Sequence, residues 1–248
     1  MGSARSWRAA VDGLLADLRT VFDGRLRSLV MYEAHGVLGD APENEPGGVR
    51  HDNHVHTLAV ADEVGYHDLE RLASLAPTWL KGGLSVPLVL TPGELARSLD
   101  AFPLEFGQMI ARHEVVAGDD PFAGLAVADQ DLRRACETQA RSHLLHLREG
   151  FIQAAGDPEA LAGLVAASAV PLRALLVNIA RLHGADARSS EALLGFAAER
   201  LGLPPASLRP LLAESGPDRL RAPDTGAFFP GYLQAVERLV ALVDGWSR

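Results

Sequence analysis

The chain has 248 residues, 48% of them hydrophobic and 22% charged. That composition suits one large or two modest globular domains and excludes disordered and fibrous classes. The net charge is -9, and both halves are acidic, so neither offers the basic surface that sequence-independent nucleic-acid binding requires. Cys136 is the only cysteine, which excludes an intramolecular disulfide and reads as a small core residue within a helical pattern.

In chain order, apolar residues Trp7, Val11, Leu14, Leu15, Leu18, Val21 and Phe22 recur every three or four positions, predicting an amphipathic helix over residues 4–22. Asp23-Gly24 ends it. The runs LRSLVMY (26–32) and VHTLAVA (55–61) are β-branched or aliphatic and bounded by Gly, Pro and Asn, as strands are. Between them, residues 36–50 have the composition of a long loop. Residues 66–80 read as a helix and VPLVL (86–90) as a third strand. Thr91-Pro92-Gly93-Glu94 then gives a helix start, with Thr91 as N-cap and Pro92 in the first position. A further helical stretch is expected at residues 104–113, followed by a short apolar run at Val115 and Val116.

After AGDDPFAGL the periodicity is helical throughout. Leu132, Cys136, Ala140, Leu144, Leu147 and Phe151 mark one long helix. Asp157-Pro158-Glu159 supplies an N-cap, first-position proline and acidic first turn for a second, reaching residue 183 and kinked at Pro171. Residues 190–201, 205–212 and 226–246 give three more. The order of elements is α/β followed by an antiparallel helical bundle, with the boundary near residues 118–129 and domains of 1–118 and 119–248. The last helix carries Leu233, Val236, Leu239, Val240 and Val243 as a stripe. It reads as bundle core, with homodimerisation as the other use. No run reaches the eighteen or so apolar residues of a membrane helix, and the charged N-terminal pattern is unlike a signal peptide, so a cytoplasmic protein is expected.

Two stretches carry chemistry. VMYEAHGV (30–37) ends a strand in a turn, and HDNHVH (51–56) opens the next strand. A helix, a strand ending in a tight turn, a loop and a second strand, followed by a helical bundle, resembles the minimal and kanamycin-type nucleotidyltransferases of the DNA polymerase beta superfamily. The later stretch from WLKGGLSVPLVL to DDPFAGL, continuing into LRRACETQARSHLLHLREGF, looks like a branch of the same fold, and the resemblance covers residues 4–240. It implies an α/β (α+β) nucleotidyltransferase-like domain with a small mixed sheet, followed by an all-α helical bundle. In that family the first strand runs into a Gly-Ser turn that meets the triphosphate, and the second carries Asp-x-Asp to hold Mg²⁺.

The chemical groups of that pattern are replaced. Glu33 and Ala34 stand where glycine and serine are expected, with Gly36 the candidate for the later glycine. His54 and His56 stand where the two aspartates are expected. VPLVL supplies no third carboxylate, and Glu105 lies too far along to take its place. A carboxylate about 4 Å from a phosphate oxygen costs on the order of 4 kcal/mol at an effective dielectric near 20, roughly three decades in affinity. Imidazole is a poor ligand for Mg²⁺. The expected cofactor-site residues are therefore Glu33, Gly36, His54 and His56, in a degenerate site with little or no nucleotidyl transfer, serving a small ligand or a protein partner.

The enzyme-class alternative is an active nucleotidyltransferase or a metal-dependent enzyme using a repurposed site built from His51, Asp52, His54 and His56, with Glu33 and His35 nearby and a divalent transition metal as cofactor. His54 and His56 share a strand face, whereas His51 has the opposite parity. Against this stands the plainer reading of exposed strand-end histidines. In the bundle, Arg134, Arg141 and Arg148 form a stripe, and Arg141 with His146 has the R-x4-H spacing seen in helical ribonuclease domains. The plainer reading is a solvated face paired with Glu137 and Glu149.

Overall fold

The computed structural model describes residues 3–32, 54–185, 187, 189–213 and 221–246. The chain divides into two compact units, Met1–Ala128 and Asp129–Arg248.

In the first unit, α1 (Ser3–Phe22) leads through a 3-10 turn (Asp23–Arg25) into β1 (Leu26–Tyr32). There follow β2 (His56–Ala61), α2 (Tyr66–Lys81), β3 (Leu88–Leu90), α3 (Pro92–Ala101), α4 (Pro103–Ala111) and β4 (His113–Gly118). The strands form one mixed sheet in the order β3-β2-β1-β4. β1 is antiparallel to both β2 and β4, and β2 is parallel to β3. The expected loop at 36–50 lies outside the described residues.

Alternation along the strands decides which face is covered. Leu29 and Met31 of β1, with Ala59 and Ala61 of β2, join Leu14, Leu18, Phe22, Leu72 and Trp79 of α1 and α2 in one buried core. Ser28, Val30 and Tyr32, paired with Val60, Leu58 and His56, face the other way. Polar ties fix the helices at the rim. Arg25 grips Asp68 through two bonds of 2.9 and 2.8 Å, and Asp68 also accepts from Gly65 N at the start of α2. The Arg25 guanidinium, with that N–H, holds the Asp68 carboxyl well below the usual carboxylate range. Trp79 Nε1 donates to Asp17 Oδ2 at 2.8 Å, so this indole is a core residue with a satisfied N–H. Thr91 caps α3 as expected, accepting from Glu94 N while Glu94 accepts from Thr91 N.

Thr57 is the exception in this core. It is fully buried, and its Oγ1 makes no hydrogen bond among the described residues. Thr57→Val keeps the shape and removes the unsatisfied hydroxyl, so it is expected to raise stability by about 1 kcal/mol, read as a higher urea midpoint with unchanged slope.

Four expectations are corrected. The apolar run at residues 115–116 is a fourth strand, β4, on the edge of the sheet. β3 is shorter than residues 86–90, and the helix at residues 104–113 stops at Ala111 because His113 enters β4. In the second unit, residues 205–212 are a 3-10 turn (Pro205–Ser207) followed by one helical turn, α8 (Arg209–Leu212), rather than one helix.

That unit also contains α5 (Asp129–Ala154), α6 (Pro158–Leu182), α7 (Ser190–Leu201) and α9 (Ala222–Gly245). α6 runs through Pro171 and buries Leu161, Val165, Leu172, Leu175, Leu176 and Ile179. Its 25 residues and windowed mean hydropathy of 2.0 meet the length and composition of a membrane span, contrary to the sequence expectation that no segment does. Its buried face makes it the central helix of the bundle core, with Arg173 tied to Ser190 and to the Leu212 carbonyl. Val236, Leu239 and Val243 of α9 are buried in the same core. A polar chain crosses it: Tyr232 Oη lies 2.7 Å from His143 Nε2 and donates to Ser168 Oγ at 2.9 Å, and Ser168 donates to Val165 O at 2.7 Å. Cys136 is fully buried, and burial pushes its thiol up to about 12. It is expected to resist a disulfide reagent at neutral pH in the folded chain and to react as one thiol in denaturant, which makes it a reporter of opening in this unit.

Candidate functional site

The ends of β1, β2 and β4 lie side by side. Tyr32 is in register with His56 on one side and with His113 on the other, so the three share a face and form a row across the sheet. The rings of Tyr32 and His56 are 5.8 Å apart, and burial raises the Tyr32 phenol above its ordinary value.

β2 reaches this row through a segment bonded to the start of the β3 strand run. Val55 pairs with Leu84. Its N–H donates to Gly83 O at 2.9 Å, and its carbonyl accepts from Ser85 N at 3.0 Å. These bonds carry the Ser85 hydroxyl to 3.1 Å from His56 Nδ1 and 3.3 Å from Val55 O. At the far end of the row, His113 Nδ1 is 3.0 Å from Met109 O and Nε2 is 3.1 Å from Asp120 Oδ1. Asp120 also accepts from Phe122 N, whose ring lies edge-on to His113 at 4.8 Å. Asp120 therefore serves as an anchor for a histidine and a turn.

Of the residues expected at the site, the structure places His54 and His56, both half-buried, at the head of β2. Glu33, His35, Gly36, His51 and Asp52 lie outside the described residues. Among the described residues, no group of three or more His, Cys, Asp and Glu could hold a metal ion. Val86, ahead of β3, and Leu88 within it are exposed to solvent, and Glu105 is an exposed residue in the first turn of α4. Sequence reasoning missed Ser85, which carries no motif, and Tyr32, which the parity of the first strand against His56 could have found.

A concavity of about 410 Å³ opens at the opposite end of β1, lined by residues that include Arg19, Asp23, Arg27 and Gly118. It is remote from the His56 row, and Arg27 there is already engaged by Asp62 at 2.6 Å. The arginine stripe of α5 is likewise paired. Arg141 meets Glu137 and Asp244, Arg148 meets Glu237, and His146 lies 3.9 Å from Glu149.

A helical layer on one face of a small mixed sheet, with a helical unit after it, is the nucleotidyltransferase fold, and comparison with solved structures supports this. The chain is similar to a spectinomycin adenyltransferase from Enterococcus faecialis, solved with ATP and spectinomycin, at 12% identity and a TM-score of 0.52. The match covers 94% of this chain and 98% of that one. At that identity the likeness concerns the fold. No family model matches the sequence, and no curated protein matches it.

Proposed function

We propose that this chain is a nucleotidyltransferase-fold protein that has lost nucleotidyl transfer and acts as a ligand-binding or protein-interaction module. The observation that carries the reading is the head of β2. Imidazoles stand where the fold's metal-holding carboxylates are expected, and His56 is engaged with the Ser85 hydroxyl. Mg²⁺ requires hard oxygen ligands in near-ideal octahedral geometry, and two imidazoles do not fit it. That ion is what neutralises the charge that develops on a transferring phosphoryl group. The division into domains at residues 118–129 is part of the same proposal. So is a cytoplasmic setting, consistent with one buried reduced thiol.

The test is transfer itself. The chain with labelled Mg-nucleoside triphosphates and hydroxyl acceptors, spectinomycin among them, is expected to give no nucleotidylated product; product formation would overturn the reading. The bond between Ser85 and His56 favours one second reading, a metal-dependent enzyme with a repurposed histidine site. Stabilisation on heating with Zn²⁺ or Mn²⁺ supports ligand binding in either form, while no shift with metals or nucleotides leaves the interaction module.

A further inference from the structure

Helix α2 (Tyr66–Lys81) is apolar on two faces. One face carries Leu72, Leu75 and Trp79 into the core with α1 and the sheet. On the other, Tyr66, Ala73 and Leu80 recur every seven residues, and Leu69 and Pro77 lie about one turn in from either end. Positions seven apart fall on one line of a helix, so the five form a single stripe. All are exposed, Tyr66 by 77%, Leu69 by 48% and Leu80 by 46%. A surface helix ordinarily turns polar residues outward. Apolar residues grouped on its outer face mark an interaction surface.

The stripe is symmetric about Ala73. Tyr66 and Leu80 lie seven residues to either side of it, and Leu69 and Pro77 lie four. A second α2 laid antiparallel, with a two-fold axis beside Ala73, therefore sets Tyr66 against Leu80 of the second copy and seats Leu69 and Pro77 in the same contact. The small Ala73 side chain lets the two backbones approach where the helices cross. The ends carry matching charge: Lys81 closes α2, Glu63 lies three residues before it begins, and both are exposed. In the antiparallel register each Lys81 comes beside Glu63 of the other copy. A parallel pair would gather both lysines at one end and both glutamates at the other. The antiparallel arrangement also opposes the two helix dipoles.

We propose that α2 is a self-association surface, pairing antiparallel with α2 of a second copy of this chain through the stripe centred on Ala73. The α9 stripe does not serve this use, because Val236, Leu239 and Val243 are buried in their own bundle core. A single helix pair covers less than the roughly 800 Å² per partner of a standard interface, so the dimer is weak and forms at micromolar concentration or above. The proposal holds whether or not nucleotidyl transfer is lost.

The test is sedimentation velocity of the full chain from low micromolar to submillimolar concentration, where a monomer–dimer equilibrium is expected. Leu80→Glu weakens it by more than about 10-fold without changing the unfolding temperature of the dilute chain. Lys81→Glu weakens it by about 5-fold, and adding Glu63→Lys to the same chain restores it, which a purely structural role for either residue would not produce. Ala73→Cys, mildly oxidised, gives a disulfide-linked dimer because the axis brings the two thiols together. Cys136 is buried and does not compete, and Ala160→Cys, at an exposed position in the second unit, crosslinks far more slowly. A monomer throughout the range, a dimer that Leu80→Glu leaves intact, no restoration by the charge reversal, or equal crosslinking of the two cysteine variants would each overturn the proposal.

Discussion

Gly118→Ala is expected to destabilise the first unit by more than about 3 kcal/mol, enough to leave a domain of ordinary stability largely unfolded on mild heating. Gly118 ends β4 at φ 77°, a conformation that costs an L-residue about 1–2 kcal/mol. A Cβ there would also overlap the Arg27 carbonyl oxygen and crowd Ser28 Cα, both in β1. These are backbone atoms of the strand with which β4 pairs, so relief requires pulling the edge strand off the sheet. Gly124 separates the two causes: it has the same φ of 77° and nothing within 4 Å of an added Cβ. Gly124→Ala should therefore cost only about 1–2 kcal/mol. Urea unfolding of both variants reads the difference. Equal costs would show that the close approach to Arg27 contributes nothing.

The second large effect is acid sensitivity of the helical unit. His143 is only 7% exposed, and burial, followed by the nearby His146, lowers its pKa to about 4 from an ordinary 6.5. The folded unit thus resists a proton that the unfolded chain accepts. Its contribution to stability is complete above pH 6.5, falls as the unfolded chain takes up the proton between pH 6.5 and 4, and levels off below 4. The fall from 6.5 to about 4 corresponds to about 3 kcal/mol over that window. The hydrogen-bond chain agrees in direction: Ser168 donates to Val165 O and Tyr232 to Ser168, so His143 Nε2 is the donor to Tyr232, which a neutral ring already provides. His143→Gln, which offers an amide donor without titrating, should lose one proton's worth of slope between pH 6.5 and 4. Urea midpoints followed by Cys136 reactivity would show it, and parallel slopes for parent and variant would refute the assignment.

These two positions show where sequence reading reached and where it stopped. The spacing of Leu14, Leu18, Val21 and Phe22, and the aliphatic runs of β1 and β2, were legible because each element buries one face of a regular period. β4 was not legible: HEVVAG has two adjacent apolar residues and a largely solvent-facing edge, so it shows neither alternation nor a buried run. The Tyr232, His143 and Ser168 chain could not be found from spacing, since its members sit 89 and 64 residues apart. In the candidate site, the placement of His54 and His56 at the head of β2 followed from the strand pattern. Ser85 did not, because it reaches His56 through the Val55 and Leu84 bridge, a tertiary contact with no local signature. Thr57, between His56 and Leu58, reads as an ordinary β-branched strand residue, and only the fold shows its hydroxyl buried without a partner.

The proposed loss of the magnesium and triphosphate machinery is tested most directly by calorimetric titration of the full chain with Mg-ATP at neutral pH. The account predicts no saturable heat up to millimolar nucleotide, with or without excess Mg²⁺. Saturable one-to-one binding that requires Mg²⁺ and disappears with His54→Ala or His56→Ala would contradict it, because those imidazoles would then be doing the work assigned to carboxylates.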